Sequence, residues 1–182
     1  MAAKHIYIEQ NLKRVLAIDP GTEHLAAAVF EVSDTTPSKL IDSMMCRFDT
    51  DIQTAPFALA RLACKIVDFA GQHCVTMTVI EDQQIGGKTN SWNLYAQAAL
   101  SSAMIAVYPG MPLQTVRPAK VKRFFNLDTG NYRTNKAQAL KRAKEIDPCI
   151  SNDHFADCLL LSEYVRVTTL FVPEYIRVTK PQ

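Results

Sequence analysis

Three strand-like segments follow one another before anything helical in this chain, which restricts it to folds whose sheet begins as an antiparallel meander. Residues 14–19 (RVLAID) are an apolar run closed by the turn pair Pro20 and Gly21. Residues 24–32 (HLAAAVFEV) and 39–48 follow, separated by a Ser/Asp/Thr/Pro loop over 33–38. Helical and strand patterns then alternate. A helix is predicted over 52–71, with Gly71 at its C′ position, and a strand over 75–81 (VTMTVIE). Ser91 caps a helix running to about Val107, and residues 111–116 form a short strand. Residues 118–125 read as a short helix or turn. A basic helix runs from a Thr134 cap to Ile146, stopped by Asp147 and Pro148, and a last helix covers 153–170. This order predicts one α/β domain, a mixed sheet covered by helices.

A chain of 182 residues is long enough to bury a full core without staples. With 48% apolar and 21% charged residues it belongs to the globular class rather than the disordered or fibrous ones. Five cysteines (Cys46, Cys64, Cys74, Cys149, Cys158) form an odd set without CxxC spacing. That argues against a disulfide framework or a zinc ribbon and for a reducing compartment. The opening residues carry no long apolar stretch, and no run of about 18 uncharged apolar residues occurs. A soluble intracellular protein is therefore expected, with no membrane partner.

Charge is unevenly spread. Residues 117–144 hold nine basic side chains against the single acid Asp128, while the remainder is acidic on balance. A basic segment on an otherwise acidic chain suits a polyanion held at one face; a solvated helix face is the plainer explanation.

Acids sit where chemistry can use them. Asp19 ends the first strand, Glu81 ends the fourth, and Asp157 lies in the apolar stretch FADCLLL of the last helix. A carboxylate there faces the core unless it lines a site, and a buried unpaired charge is costly. His154 lies three residues before Asp157 and Asp153 four, so all three share a helix side. If the first and fourth strands are neighbours, Asp19 and Glu81 converge and the last helix brings His154 and Asp157 over them. Clustered carboxylates repel unless cations lie between them, and hard oxygen ligands favour magnesium or manganese. Two such ions activate a water and stabilise the leaving oxygen of a phosphodiester. Singly, each residue has a duller role: Asp19 a turn former, Glu81 a loop acid, Asp153 a helix cap, His154 a structural side chain.

These residues resemble the RuvC-like Holliday junction resolvases, which have bacterial, bacteriophage, viral and mitochondrial members. VLAIDPGT (residues 15–22) resembles that family's opening strand, and VIEDQ (79–83) its second acidic motif. RPAKVK (117–122) with NYRTNKAQAL (131–140) resembles its basic segment, and HFADCL (154–159) its closing helix. The resemblance implies a ribonuclease H-like (retroviral integrase-like) mixed five-stranded sheet with helices on both faces, spanning residues 14–170. Residues 1–13 would be an N-terminal extension and 171–182 a tail. It further implies that Asp19, Glu81, His154 and Asp157 are catalytic ligands of two Mg2+ ions, with Mn2+ able to substitute. Lys122 would be catalytic, and Lys122 and Lys136 phosphate or transition-state contacts. Arg117, Lys120, Lys122, Arg123, Tyr132, Arg133 and Lys136 would bind DNA. The protein would be a homodimer that nicks opposed strands of a four-way DNA junction, with a branch-migration helicase as a candidate partner, in the cytoplasm of a bacterium or phage-infected cell. Family members often carry an aromatic wedge after the second acid. Here that stretch is DQQIGGK (82–88), leaving Ile85, Gln84 or a residue elsewhere for the role.

Aromatic residues interleave with the basic ones. Trp92, Phe124 and Phe125 are read as core, and Tyr132 as an exposed candidate for stacking on unpaired bases. Three rivals remain at this level: a ribonuclease H acting on RNA–DNA hybrid or a nuclease for other branched DNA, an actin/sugar-kinase-type ATPase, and a non-catalytic junction-binding protein. The ATPase superfamily generally needs a longer chain with two such domains. A pure binder would carry the repulsion of three carboxylates for no gain.

Overall fold

Strand β1 (Lys13–Pro20) is at the centre of the architecture because the sheet is ordered β3-β2-β1-β4-β5. In this computed structural model, β1 pairs antiparallel with β2 (His24–Val32), which pairs antiparallel with β3 (Lys39–Arg47). On its other side β1 runs parallel to β4 (Met77–Glu81), and β4 runs parallel to β5 (Leu113–Val116). The expected meander and parallel portion are both present. The structure describes residues 12–21, 24–47, 56–83, 91–127 and 129–171, with only the backbone of Pro56, Ser91 and Trp92. Expectations for Thr22, Gln84, Ile85, Gly86, Gly87, Asp128, the Trp92 side chain and most of both termini lie outside those residues.

Alternation along β1 divides the core in two. Leu16 and Ile18 point with Leu25, Ala27, Val29 and Ile80 toward helices α1 (Pro56–Gln72) and α2 (Ser91–Val107). Val15 and Ala17 point the other way, with Ala26, Ala28, Phe30, Met77 and Val79. That face is covered by α4 (Tyr132–Ile146) and α5 (Asp153–Val165), and the short α3 (Pro118–Phe124) adds Val121. Helices therefore cover both faces, and the next outward-alternating residues, Asp19 and Glu81, emerge on the α4/α5 side.

Several boundaries differ from the sequence expectation. The basic helix starts at Tyr132, capped by Asn131, whose Oδ1 accepts from the Thr134 backbone N–H at 3.2 Å. Thr134 therefore receives the cap instead of providing it. Asn152, not Asp153, caps α5 by accepting from Phe155 N–H at 2.9 Å. After Val165 the chain widens into a π-helical turn, Arg166–Leu170. Gly71 lies inside α1 and not beyond its end: a Cβ there would come within 2.7 Å of the Tyr108 hydroxyl, which donates to Val67 C=O at 2.9 Å. Phe125 packs against the core as read, whereas Phe124 is partly exposed.

The α4–α5 connection is tied to β3 by Asp147. Its carboxylate accepts from Leu40 N–H at 2.8 Å and from Cys149 N–H at 2.9 Å. Burial alone would push its pKa up, but these two donors, helped by Lys39, hold the carboxyl below its ordinary value. A carboxylate depressed in the folded state adds stability that is fully present above its unfolded pKa, about 3.9, and is lost as pH falls through the lower folded value. Asp147→Asn is therefore expected to flatten the acid limb of a stability–pH curve measured by urea melts below about pH 4. An acid limb parallel to that of the wild type would remove Asp147 from the account.

Candidate active site

The parallel register brings the first two acids together. Ile18 stands opposite Ile80, so the next residues, Asp19 and Glu81, end neighbouring strands on the same face. Gly21 allows the chain to turn immediately afterwards: its N–H donates to Asp19 C=O at 3.1 Å, and a Cβ there would lie 2.6 Å from His24 C=O. Helix α5 crosses this face and contributes His154 and Asp157. Together these groups line a cavity of about 620 Å³ whose wall also includes Lys122, Tyr132 and Lys136. Seven of the residues singled out in the sequence thus meet at one place. Arg117, Lys120, Arg123 and Arg133 do not line it; all four are exposed. Arg117 stands 3.7 Å from Asp82, an exposed pair of small energetic weight.

Electrostatics inside the cavity are those of crowded acids. Asp19 is only 7% exposed. Glu81 opens on the cavity but is otherwise enclosed, and burial pushes its pKa well above the carboxylate range, reinforced by Asp19 and Asp157 and opposed by Lys136. Burial likewise raises Asp157, with Lys136 pulling the other way. The Lys136 ammonium is hydrogen-bonded to Asp157 Oδ2 and lies 3.6 Å from Asp153 Oδ2. Burial opposes its charge, yet Asp157 and Asp19 more than offset this and raise its pKa. His154 Nδ1 lies 3.6 Å from Asp19 Oδ2, and the nearness of that carboxylate is the main cause of a raised imidazole pKa. At that separation Nδ1 is buried with no hydrogen-bond partner among the described residues. Cys158, adjacent to Asp157, is fully buried, and burial holds its thiol protonated well above the ordinary range, so it offers no nucleophile.

Among the described residues no three acids or histidines stand close enough, as they lie, to enclose an ion, and Lys136 is the counter-charge present. The donor set nonetheless fits a divalent cation. Three carboxylates face one cavity, two of them raise the pKa of the third, and an imidazole nitrogen beside them has no hydrogen-bond partner among the described residues. A bound dication would reverse that repulsion.

Some neighbours of the acids carried no sequence signal. His24 stacks at a tilt on His154, 5.6 Å between ring centroids. Gln83 and Asn93 line the cavity beside Glu81. Asn135, on α4, accepts from the Thr129 N–H at 3.0 Å and its hydroxyl at 2.6 Å, pinning the approach to the helix that carries Lys136.

A sheet ordered β3-β2-β1-β4-β5, helices on both faces and acids at the ends of β1 and β4 define a ribonuclease H-like fold. Holliday junction resolvases are among the solved structures similar to it. RuvC from Thermus thermophilus, solved with a Holliday junction substrate, superposes with a TM-score of 0.66 at 18% identity, over 86% of this chain and 97% of that one. The yeast mitochondrial Holliday junction resolvase gives 0.58 at 15% identity, over 85% and 78%. The fowlpox virus resolvase, solved with junction DNA, gives 0.50 at 13%, over 86% and 99%. No protein-family model and no curated protein matches the chain by sequence. Among the described residues no helix is long and apolar enough to cross a membrane.

Proposed function

We propose that this protein is a metal-dependent endonuclease that resolves four-way DNA junctions. The observation that carries the reading is the convergence of Asp19, Glu81 and Asp157 on one cavity whose rim is basic and aromatic. Asp19, Glu81, Asp157 and His154 would hold two Mg2+ ions, or Mn2+, which supply an activated water and stabilise the leaving oxygen when bound. The chain's own groups do the rest. Lys122 neutralises a backbone phosphate at the cavity mouth, and Lys136 is positioned to exchange its carboxylate partner for phosphate. Tyr132, 70% exposed at the rim, offers a face to an unpaired base. Arg117, Lys120, Arg123 and Arg133 extend the phosphate track over the adjoining surface.

Two opposed nicks require two sites, and a homodimer supplies them. Tyr95, Ala98, Ser102 and Ile105 form one exposed, largely apolar stripe on α2 that fits such a contact. A helicase presenting the junction and a cytoplasmic location accord with this role.

The test is cleavage of a labelled synthetic four-way junction in magnesium and in manganese, beside duplex DNA and RNA–DNA hybrid. Paired symmetric nicks on the junction alone are expected. Preferential cleavage of the hybrid would move the protein to a ribonuclease H role, and tight junction binding without cleavage would make it a binder. Lys122→Ala should lower the slope of log affinity against log salt by about one. An unchanged slope would take Lys122 off the phosphate path.

A further inference from the structure

Immediately after Glu81 the chain is gripped from the opposite side of the sheet. Gln83 N–H donates to Gln97 Oε1 at 2.8 Å, and Gln97 Nε2 donates to Asp82 Oδ1 at 3.3 Å. One turn earlier on α2, Asn93 Nδ2 donates to Gln83 Oε1 at 3.1 Å. The Gln83 amide nitrogen in turn reaches Glu81 Oε2 at 3.4 Å and Glu81 C=O at 3.5 Å. Asn93 is only 7% exposed, lines the cavity, and keeps its Oδ1 buried with no partner among the described residues.

The direction of this relay follows from its chemistry. A backbone carbonyl only accepts, so Gln83 must turn its NH2 toward Glu81. Its carbonyl then faces Asn93, which must present its own NH2 and leave Oδ1 over. A purely structural clamp on α2 needs only the Gln97 contacts. The Asn93–Gln83 pair spends a buried, unsatisfied acceptor to keep one amide pointed at one carboxylate.

We propose that Gln83, set by Asn93, is the positioning residue for Glu81. It holds Oε2 with a donor, in a cavity that Asp19 and Asp157 also line. The consequence for cleavage rests on the metal-dependent reading above, but the effect on cation binding can be measured without DNA.

Asn93→Asp is nearly isosteric and, read at a pH high enough to ionise it, acceptor-only, so the Gln83 carbonyl loses its donor and the amide its fixed sense. Asn93→Ser retains a hydroxyl donor. In melting experiments with manganese alone, Asn93→Asp should raise the half-saturating concentration about 10- to 100-fold, the scale on which groups orienting a ligand act. Added negative charge by itself would tighten cation binding, so weakening is the mark of lost orientation. Single-turnover junction cleavage should fall by a similar factor, while junction affinity in chelator and the metal-free melting temperature stay near wild type. Asn93→Ser should remain within about threefold on both measures. The proposal is overturned if Asn93→Asp matches wild type in manganese response, or if both variants lose function in proportion to a fall in melting temperature. A wild type that responds to manganese but cleaves no junction would defeat the proposed substrate and leave the relay to be decided by the melts. A wild type with neither response overturns both.

Discussion

Asp157→Asn should reduce junction cleavage by roughly a thousandfold or more, the scale on which loss of a preorganised stabiliser of developing charge acts. The substitution preserves shape inside α5, and Lys136 retains Asp153 at 3.6 Å as an alternative partner, so the fold should survive. Binding should not fall with the rate. Phosphate contacts are assigned to the basic segment, and removing a negative charge from the cavity favours a polyanion. Asp19→Asn should behave in the same way, because Asp19 sits at the end of the central strand and faces the same cavity. The measurement is a pair of curves on one labelled junction, single-turnover cleavage in magnesium and binding in chelator. Parallel loss of both would make Asp157 a structural residue and sink the assigned role.

Much of this site could be read before any coordinates because its acids are placed by strong local signals. Asp19 follows an apolar run and precedes Pro-Gly, Glu81 ends another such run, and Asp157 interrupts an apolar helix. Strand alternation and parallel pairing then carry them to one face. Lys136 was legible as basic but not as a partner of Asp157, since that contact depends on how α4 leans on α5. The relay of Asn93, Gln83 and Gln97 was not legible: neutral amides have no periodic pattern, and their partners lie across the end of the sheet. Helix caps were off by three residues for α4 and by one for α5, for a related reason. Asn131 and Thr134, three apart, and Asn152 and Asp153, adjacent, are polar pairs in which either member can cap, and only the backbone turn decides between them.

The largest effect on stability is expected at Glu163, a residue the sequence did not single out. It is 5% exposed in the last turn of α5 and accepts from Arg166 Nε and Nη2, both at 2.9 Å, and from the backbone N–H of Ser38. Arg166 continues to Ser33 C=O at 3.3 Å, so one ion pair fastens the loop between β2 and β3 to the last helix. Glu163→Ala leaves a guanidinium and a peptide donor without their acceptor and should cost about 3–5 kcal/mol. For a domain of this size that corresponds to a fall of roughly 10 °C in melting temperature. Glu163→Gln keeps acceptor capacity and should lose less. Equal losses for the two variants would show that packing volume, not charge pairing, governs the position.

Helix α5 also sets when the acid set becomes complete. Asp19 and Glu81 belong to the sheet, but Asp157 and His154 arrive only once that helix docks over it. On a ribosome, the sheet and α1 through α3 emerge long before α5, and until then the nascent chain presents two carboxylates without the third. Under the proposed nuclease role, cutting capacity would be deferred until the fold is nearly finished, and a partly synthesised chain would lack it.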